Sequence, residues 1–249
     1  MTEPCKQAKK TPLSKKHQNI QKEQPMLNKL TYSIFSFLAI VITSPSALAI
    51  QLCGTPAQGE ILQGKADNLS RVVMDGKDIR LSPQGTFLIV FGRDETSPKQ
   101  FAAATTSGEV IPLSVDVNKT AWDVQSLKGV PPRKVTPSDS DLRDIEHEQK
   151  LVRAGQAENT ETPHWQTGFI QPVEGRISGN FGGQRIMNGV KKNPHSGMDI
   201  AVPEGTPVKA SSDGVVTLAA NDLFYSGNVI IIDHGYGLHT VYAHLKEIN

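Results

Sequence analysis

Three side chains in the last quarter of this 249-residue chain carry groups able to hold a metal and move protons. Pro194-His195-Ser196-Gly197-Met198-Asp199 offers a histidine and a carboxylate four residues apart, and Tyr242-Ala243-His244-Leu245 offers a second histidine shortly before the chain stops at Asn249. An imidazole nitrogen paired with a carboxylate oxygen is a donor set that suits Zn²⁺. A catalytic zinc takes three protein ligands and keeps one position open for water. Pro194, Gly197 and Pro203 argue against a helix through His195 and Asp199. On a straight strand their Cα atoms would stand about 13 Å apart, too far to share one ion. The chain must therefore bend, and Gly197 permits it. Taken alone, a His-x-x-x-Asp pair is weak evidence, because such pairs occur by chance. The remaining histidines offer less. His234 reads as a turn residue bonded to backbone beside Gly235. His239 lies five residues before His244, so on a regular strand the two face opposite sides. His164 falls in a linker, and His147 on a helix.

The elements that must position these groups are mostly strands. Hydrophobic residues make up 37% and aromatics 6% of the chain, and glycine and proline are frequent, which fits short strands and turns better than a helical bundle. Formal net charge is +1, with seven lysines and two glutamates in the first 29 residues and a mildly acidic body after them. Such a body offers no nucleic-acid surface. The basic head leads into the apolar run Leu30 to Ile42 and then Ala47-Leu48-Ala49, the pattern of a secretory signal peptide. The run is short for a bilayer span; cleavage after Ala49 is expected, against the alternative of a retained anchor. Cys5 falls in the removed part and Cys53 is expected to remain as an unpaired, incidental buried residue.

Residues 50–129 read as a small β-sandwich, Ig-like in outline. Asp75-Gly76 between two strand-like runs signals a hairpin. Phe87 to Gly92 is a buried strand, and Ser107-Gly108 separates two further β segments. Residues 130–164 form a helical linker. Thr136 is its predicted N-cap, with Pro137 at the first helical position and Asp139 at the third. Leu142, Ile145, Gln149 and Val152 make its apolar stripe, and Gly155 is its predicted stop. From 165 to 249 the pattern returns to short antiparallel strands. The fold class is therefore all-β with one helical linker.

Several segments in register narrow the reading. Val173 to Gly182, His195 to Ala201, Gly205 to Val216, Gly227 to Gly237 and Val241 to Leu245 together resemble the LytM/lysostaphin-type zinc metalloendopeptidases, peptidoglycan hydrolases of the bacterial cell wall. The resemblance covers about residues 169–249. It implies zinc as cofactor, peptidoglycan stem peptides or crosslinks as substrate, and an exported protein in a Gram-negative periplasm with no stable membrane span after cleavage of its leader. It implies that His195 and Asp199 are metal ligands and that His244 is catalytic, as base or as stabiliser of the oxyanion. Arg185 lies close to the family's Phe-Gly-x-Arg pattern with one added residue, and is expected to meet a substrate carboxylate or to form a surface ion pair. The family's downstream His-x-His, which supplies the third ligand, is absent from the chain. The domain is thus expected to be incomplete at its C-terminus and inactive as it stands. Two other classes are open: a non-catalytic LytM-like module that activates a cell-wall amidase partner, and a carrier-type barrel, which the absence of a suitable hairpin lysine disfavours.

Overall fold

The computed structural model describes residues 6–7 and 50–249. The signal-peptide reading falls outside them. The chain divides into two compact units.

The first unit holds β1 (Lys6–Gln7), β2 (Gln51–Cys53), β3 (Ile61–Lys65), β4 (Leu69–Met74), β5 (Lys77–Ile79), β6 (Thr86–Val90), β7 (Lys99–Thr105) and β8 (Val110–Val115). They form two four-stranded sheets, ordered β1-β2-β3-β6 and β5-β4-β7-β8. The Asp75-Gly76 hairpin forms as expected. Both residues have positive φ (49° and 79°), and Met74 pairs with Lys77, the geometry that suits the right-handed twist of the flanking strands. Period-two patterning builds the core. Phe101, Ala103 and Thr105 on β7 and Ile111, Leu113 and Val115 on β8 are all buried, and Phe101 pairs with Leu113 as Ala103 pairs with Ile111. Pro112 sits on β8, an edge strand, where a missing N–H breaks no inner ladder. Gly64 makes room for the fully buried Phe87: a Cβ there would lie 2.2 Å from its ring. Cys53 is disulfide-bonded, contrary to the unpaired thiol expected from the sequence; the chain's other cysteine, Cys5, lies outside the described residues.

The second unit holds β9 (Val124–Leu127), α1 (Pro132–Val135), α2 (Asp139–Ala157), a 3₁₀ turn (His164–Thr167), β10 (Arg176–Gly179), β11 (Gln184–Met187), β12 (Val190–Lys191), β13 (Asp199–Ala201), β14 (Val215–Leu223), β15 (Gly227–Asp233) and β16 (His239–Leu245). Strands β14, β15 and β16 form an antiparallel meander, and β10 pairs antiparallel with β13. The pairing of β9 with β11 is parallel and departs from the antiparallel expectation. It carries the chain from before residue 129 into the same sheet as the segment after 183.

Helix α2 differs from its sequence pattern in three places. Its N-cap is Ser138, while Thr136 instead closes α1, its N–H bonded to the Pro132 carbonyl. The Ser138 hydroxyl accepts from the Asp141 N–H at 3.2 Å and the Asp141 carboxylate accepts from the Ser138 N–H at 3.1 Å, a reciprocal capping box. The inward stripe runs through the buried Ile145 and Gly155 and the half-buried Val152, while Leu142 is exposed. Gly155 does not end the helix. It lets α2 close on the meander, since a Cβ there would lie 3.0 Å from that of Leu218 and 3.4 Å from Ile231 Cδ1.

Candidate metal centre

The bend between His195 and Asp199 is present, at Gly197. It brings His195 Nε2 to 3.2 Å from Asp199 Oδ1. Two backbone bonds anchor the main chain of His195. The His195 N–H donates to the Gly183 carbonyl and the His195 carbonyl accepts from the Gly182 N–H, each at 2.8 Å. The ring Nδ1 stands 3.0 Å from the Asn180 carbonyl oxygen. A carbonyl can only accept, so Nδ1 carries the proton and Nε2 presents its lone pair in the neutral ring. That lone pair faces a carboxylate oxygen, which also only accepts. Two acceptors at this distance call for a positive species between them, a proton or a metal ion. A histidine whose outer nitrogen is tied to a backbone carbonyl is oriented as metal-ligating histidines are. The pair is accessible on one side, for Asp199 is 39% exposed while the His195 side chain is 10% exposed.

Asp199 begins β13, opposite Gly179 at the end of β10. A Cβ at Gly179 would fall 2.4 Å from Asp199 Oδ2, so this glycine is a site residue that the sequence reading missed. Its only sequence signal is a glycine two residues before Phe181. Arg185, on β11, donates from its terminal nitrogen to Asp199 Oδ2 at 2.8 Å and from Nε to Gln125 Oε1 at 3.3 Å. The guanidinium is thus engaged by the candidate ligand itself. Asp199 keeps Oδ1 directed to His195 and Oδ2 to Arg185.

His244 lies apart in its local geometry. It sits in β16 at φ 60° beside a register shift in the β15–β16 ladder, and its N–H bonds to the Ser226 carbonyl at 2.8 Å. A left-handed non-glycine residue at a bulge is uncommon and re-aims its side chain. No cluster of three His, Cys, Asp or Glu residues able to hold a metal forms among the described residues. The structure therefore joins His195 to Asp199 and does not gather His244 into the same cluster. His234 is fully buried, with Nδ1 2.6 Å from the Asp213 carbonyl and Nε2 2.8 Å from the Thr240 hydroxyl, the backbone-bonded turn role expected of it. His239 stands 2.8 Å from the Glu158 carbonyl and 3.7 Å from the buried Asp233 carboxylate.

Residues 193–249, which hold His195, Asp199 and His244, match the model of Peptidase family M23. The match spans less than a quarter of the chain. Over 74 residues the chain is 46% identical to the peptidoglycan DD-endopeptidase ShyA of Vibrio cholerae, covering 29% of this chain and 17% of that protein. Over 55 residues it is 51% identical to the DD-carboxypeptidase/endopeptidase Mpg of Neisseria meningitidis, covering 22% of this chain and 13% of that protein. It is 36% identical over 85 residues to the cell division protein DipM of Caulobacter vibrioides, 32% of this chain and 12% of that one. The aligned part is less than a fifth of the length of each of these relatives. Within this chain, the matching segment contains both His195 and Asp199, whereas Gly179, Asn180 and Arg185, which set their geometry, precede it.

Proposed function

We propose that this protein is an exported, zinc-dependent endopeptidase that hydrolyses peptide bonds in peptidoglycan stem peptides or crosslinks. One observation carries the reading: a tautomer-fixed His195 facing the Asp199 carboxylate at 3.2 Å, inside a segment of family M23. His195 Nε2 and Asp199 Oδ1 would hold the ion. When bound, zinc supplies Lewis acidity, polarising a scissile carbonyl and acidifying water. His244 would take or return a proton at its ring, a contribution of roughly 10²–10⁴-fold where such a group is well placed. The polymer's location and the apolar leader at residues 30–42 support action in the periplasm. No helix among the described residues is long and apolar enough to cross a membrane.

Residues 1–249 by themselves, which lack the His-x-His, are expected to be inactive; the test is digestion of purified peptidoglycan by the zinc-supplied protein joined to a segment bearing that motif, with the products separated by chromatography. New muropeptides cut at peptide bonds are expected. They should vanish with a chelator and with Asp199→Ala. Zinc uptake without any muropeptide release would overturn the hydrolase reading for this molecule.

A further inference from the structure

The metal pair is held from behind by a strand that lies far upstream of it. β9 is the edge of the sheet β12-β11-β9, and its parallel register sets Gln125 opposite Arg185. Gln125 makes two bonds there: its Oε1 accepts from Arg185 Nε at 3.3 Å, and its Nε2 donates to the Ser178 carbonyl at 3.3 Å. Arg185 passes this constraint to Asp199 Oδ2. Asp123, two residues earlier and just before the strand, does the equivalent for the histidine. Its Oδ2 accepts from Asn180 Nδ2 at 3.3 Å, and its carbonyl accepts from the Gln184 N–H at 2.8 Å. Asn180 is the residue whose carbonyl fixes the His195 tautomer. Trp122 closes the loop between them by covering Gly182, where a Cβ would lie 2.2 Å from its ring.

We propose that the segment 122–127 is the positioning element of the metal pair, with Gln125 acting on Asp199 through Arg185 and Asp123 acting on His195 through Asn180. This rests on the metal reading of His195 and Asp199. In this role Arg185 is a positioning residue: its planar guanidinium meets Gln125 through Nε and the carboxylate through a terminal nitrogen, which a lysine cannot reproduce. The carboxylate then keeps one oxygen turned toward the imidazole before any ion arrives. The relay gives β9, a strand outside the M23 match, a hold on Asp199 through its sheet neighbour Arg185.

Cobalt(II) is the probe, read by its visible absorption and by titration of the full chain. His195→Ala serves as the reference for a lost ligand. Removing Arg185 outright would also remove a positive charge that repels the ion, so the informative variants keep charge. Gln125→Ala and Arg185→Lys should each weaken cobalt binding about tenfold or more and change the absorption envelope, because outer partners of ligands are worth about 10–100-fold in affinity. Gln125→Glu keeps an acceptor for the guanidinium but adds a negative charge, so it should bind cobalt no more weakly than the unmodified protein. Gln125 lies on an edge strand, so folding, followed by far-ultraviolet circular dichroism, should be retained. Gln125→Ala and Arg185→Lys binding cobalt with unchanged affinity and spectrum would overturn the proposal. Equal cobalt binding by the unmodified protein and His195→Ala would instead overturn the metal reading beneath it.

Discussion

At the scale of single residues, the site is a matter of which oxygen faces which nitrogen. The His195 ring is fixed by the Asn180 carbonyl and the Asp199 carboxylate by Arg185, so what remains between them is one lone pair and one oxygen. Space for that carboxylate depends on Gly179. We expect Gly179→Ala to push Asp199 from its rotamer and to weaken zinc uptake about tenfold, the scale of a disturbed ligand support, with little change in far-ultraviolet circular dichroism. Normal zinc stoichiometry and affinity in that variant would show that the carboxylate has room elsewhere. His234 belongs to the fold instead. Its ring is buried and bonded on both nitrogens, so His234→Ala should destabilise the protein by about 3 kcal/mol, as lost burial, lost bonds and a cavity combine. Chemical denaturation measures this, and a loss below about 1 kcal/mol would place the ring outside the cooperative core.

Among the elements, α2 shows how a local signal and a tertiary contact divide the work. The Ser138 capping box starts the helix, and Ser138→Ala should cost about 1 kcal/mol. The buried partner in that box, Asp141, is held well below the ordinary carboxylate value of 3.8, first by the Arg133 guanidinium and then by hydrogen bonds from Ser138. A depressed carboxylate contributes stability that is fully present above its ordinary value and is lost as pH falls through the depressed one. The melting temperature of the unmodified protein should therefore exceed that of Asp141→Asn at neutral pH, and the gap should narrow below pH 3.8. A gap independent of pH would mean that packing, and not charge, makes the difference. The stripe predicted for this helix slipped because Leu142 and Gln149 satisfy helical spacing as well as the residues that are actually buried. Only the meander beneath, where Leu218 and Ile231 approach Gly155, selects between the two faces.

For the molecule as a whole, the compact unit that carries the site begins well before the M23 segment, with β9, α2, β10 and β11 all part of it. A fragment of residues 193–249 would leave β13 without β10 and the His195 loop without Asp123. We expect it to be unfolded by circular dichroism and to bind no zinc, whereas the full chain folds; a cooperative thermal transition in the fragment would contradict this. By itself the sequence determined the all-β character, the Asp75-Gly76 hairpin and the bend at Gly197 that lets His195 meet Asp199, because turn chemistry, period-two burial and motif order are written in short stretches of chain. The placement of Gln125 behind Arg185, the requirement for glycine at positions 155 and 179, and the parallel pairing of β9 with β11 were decided by tertiary structure alone. Each depends on segments tens of residues apart meeting at a few ångströms, and no local pattern records which distant strand will arrive.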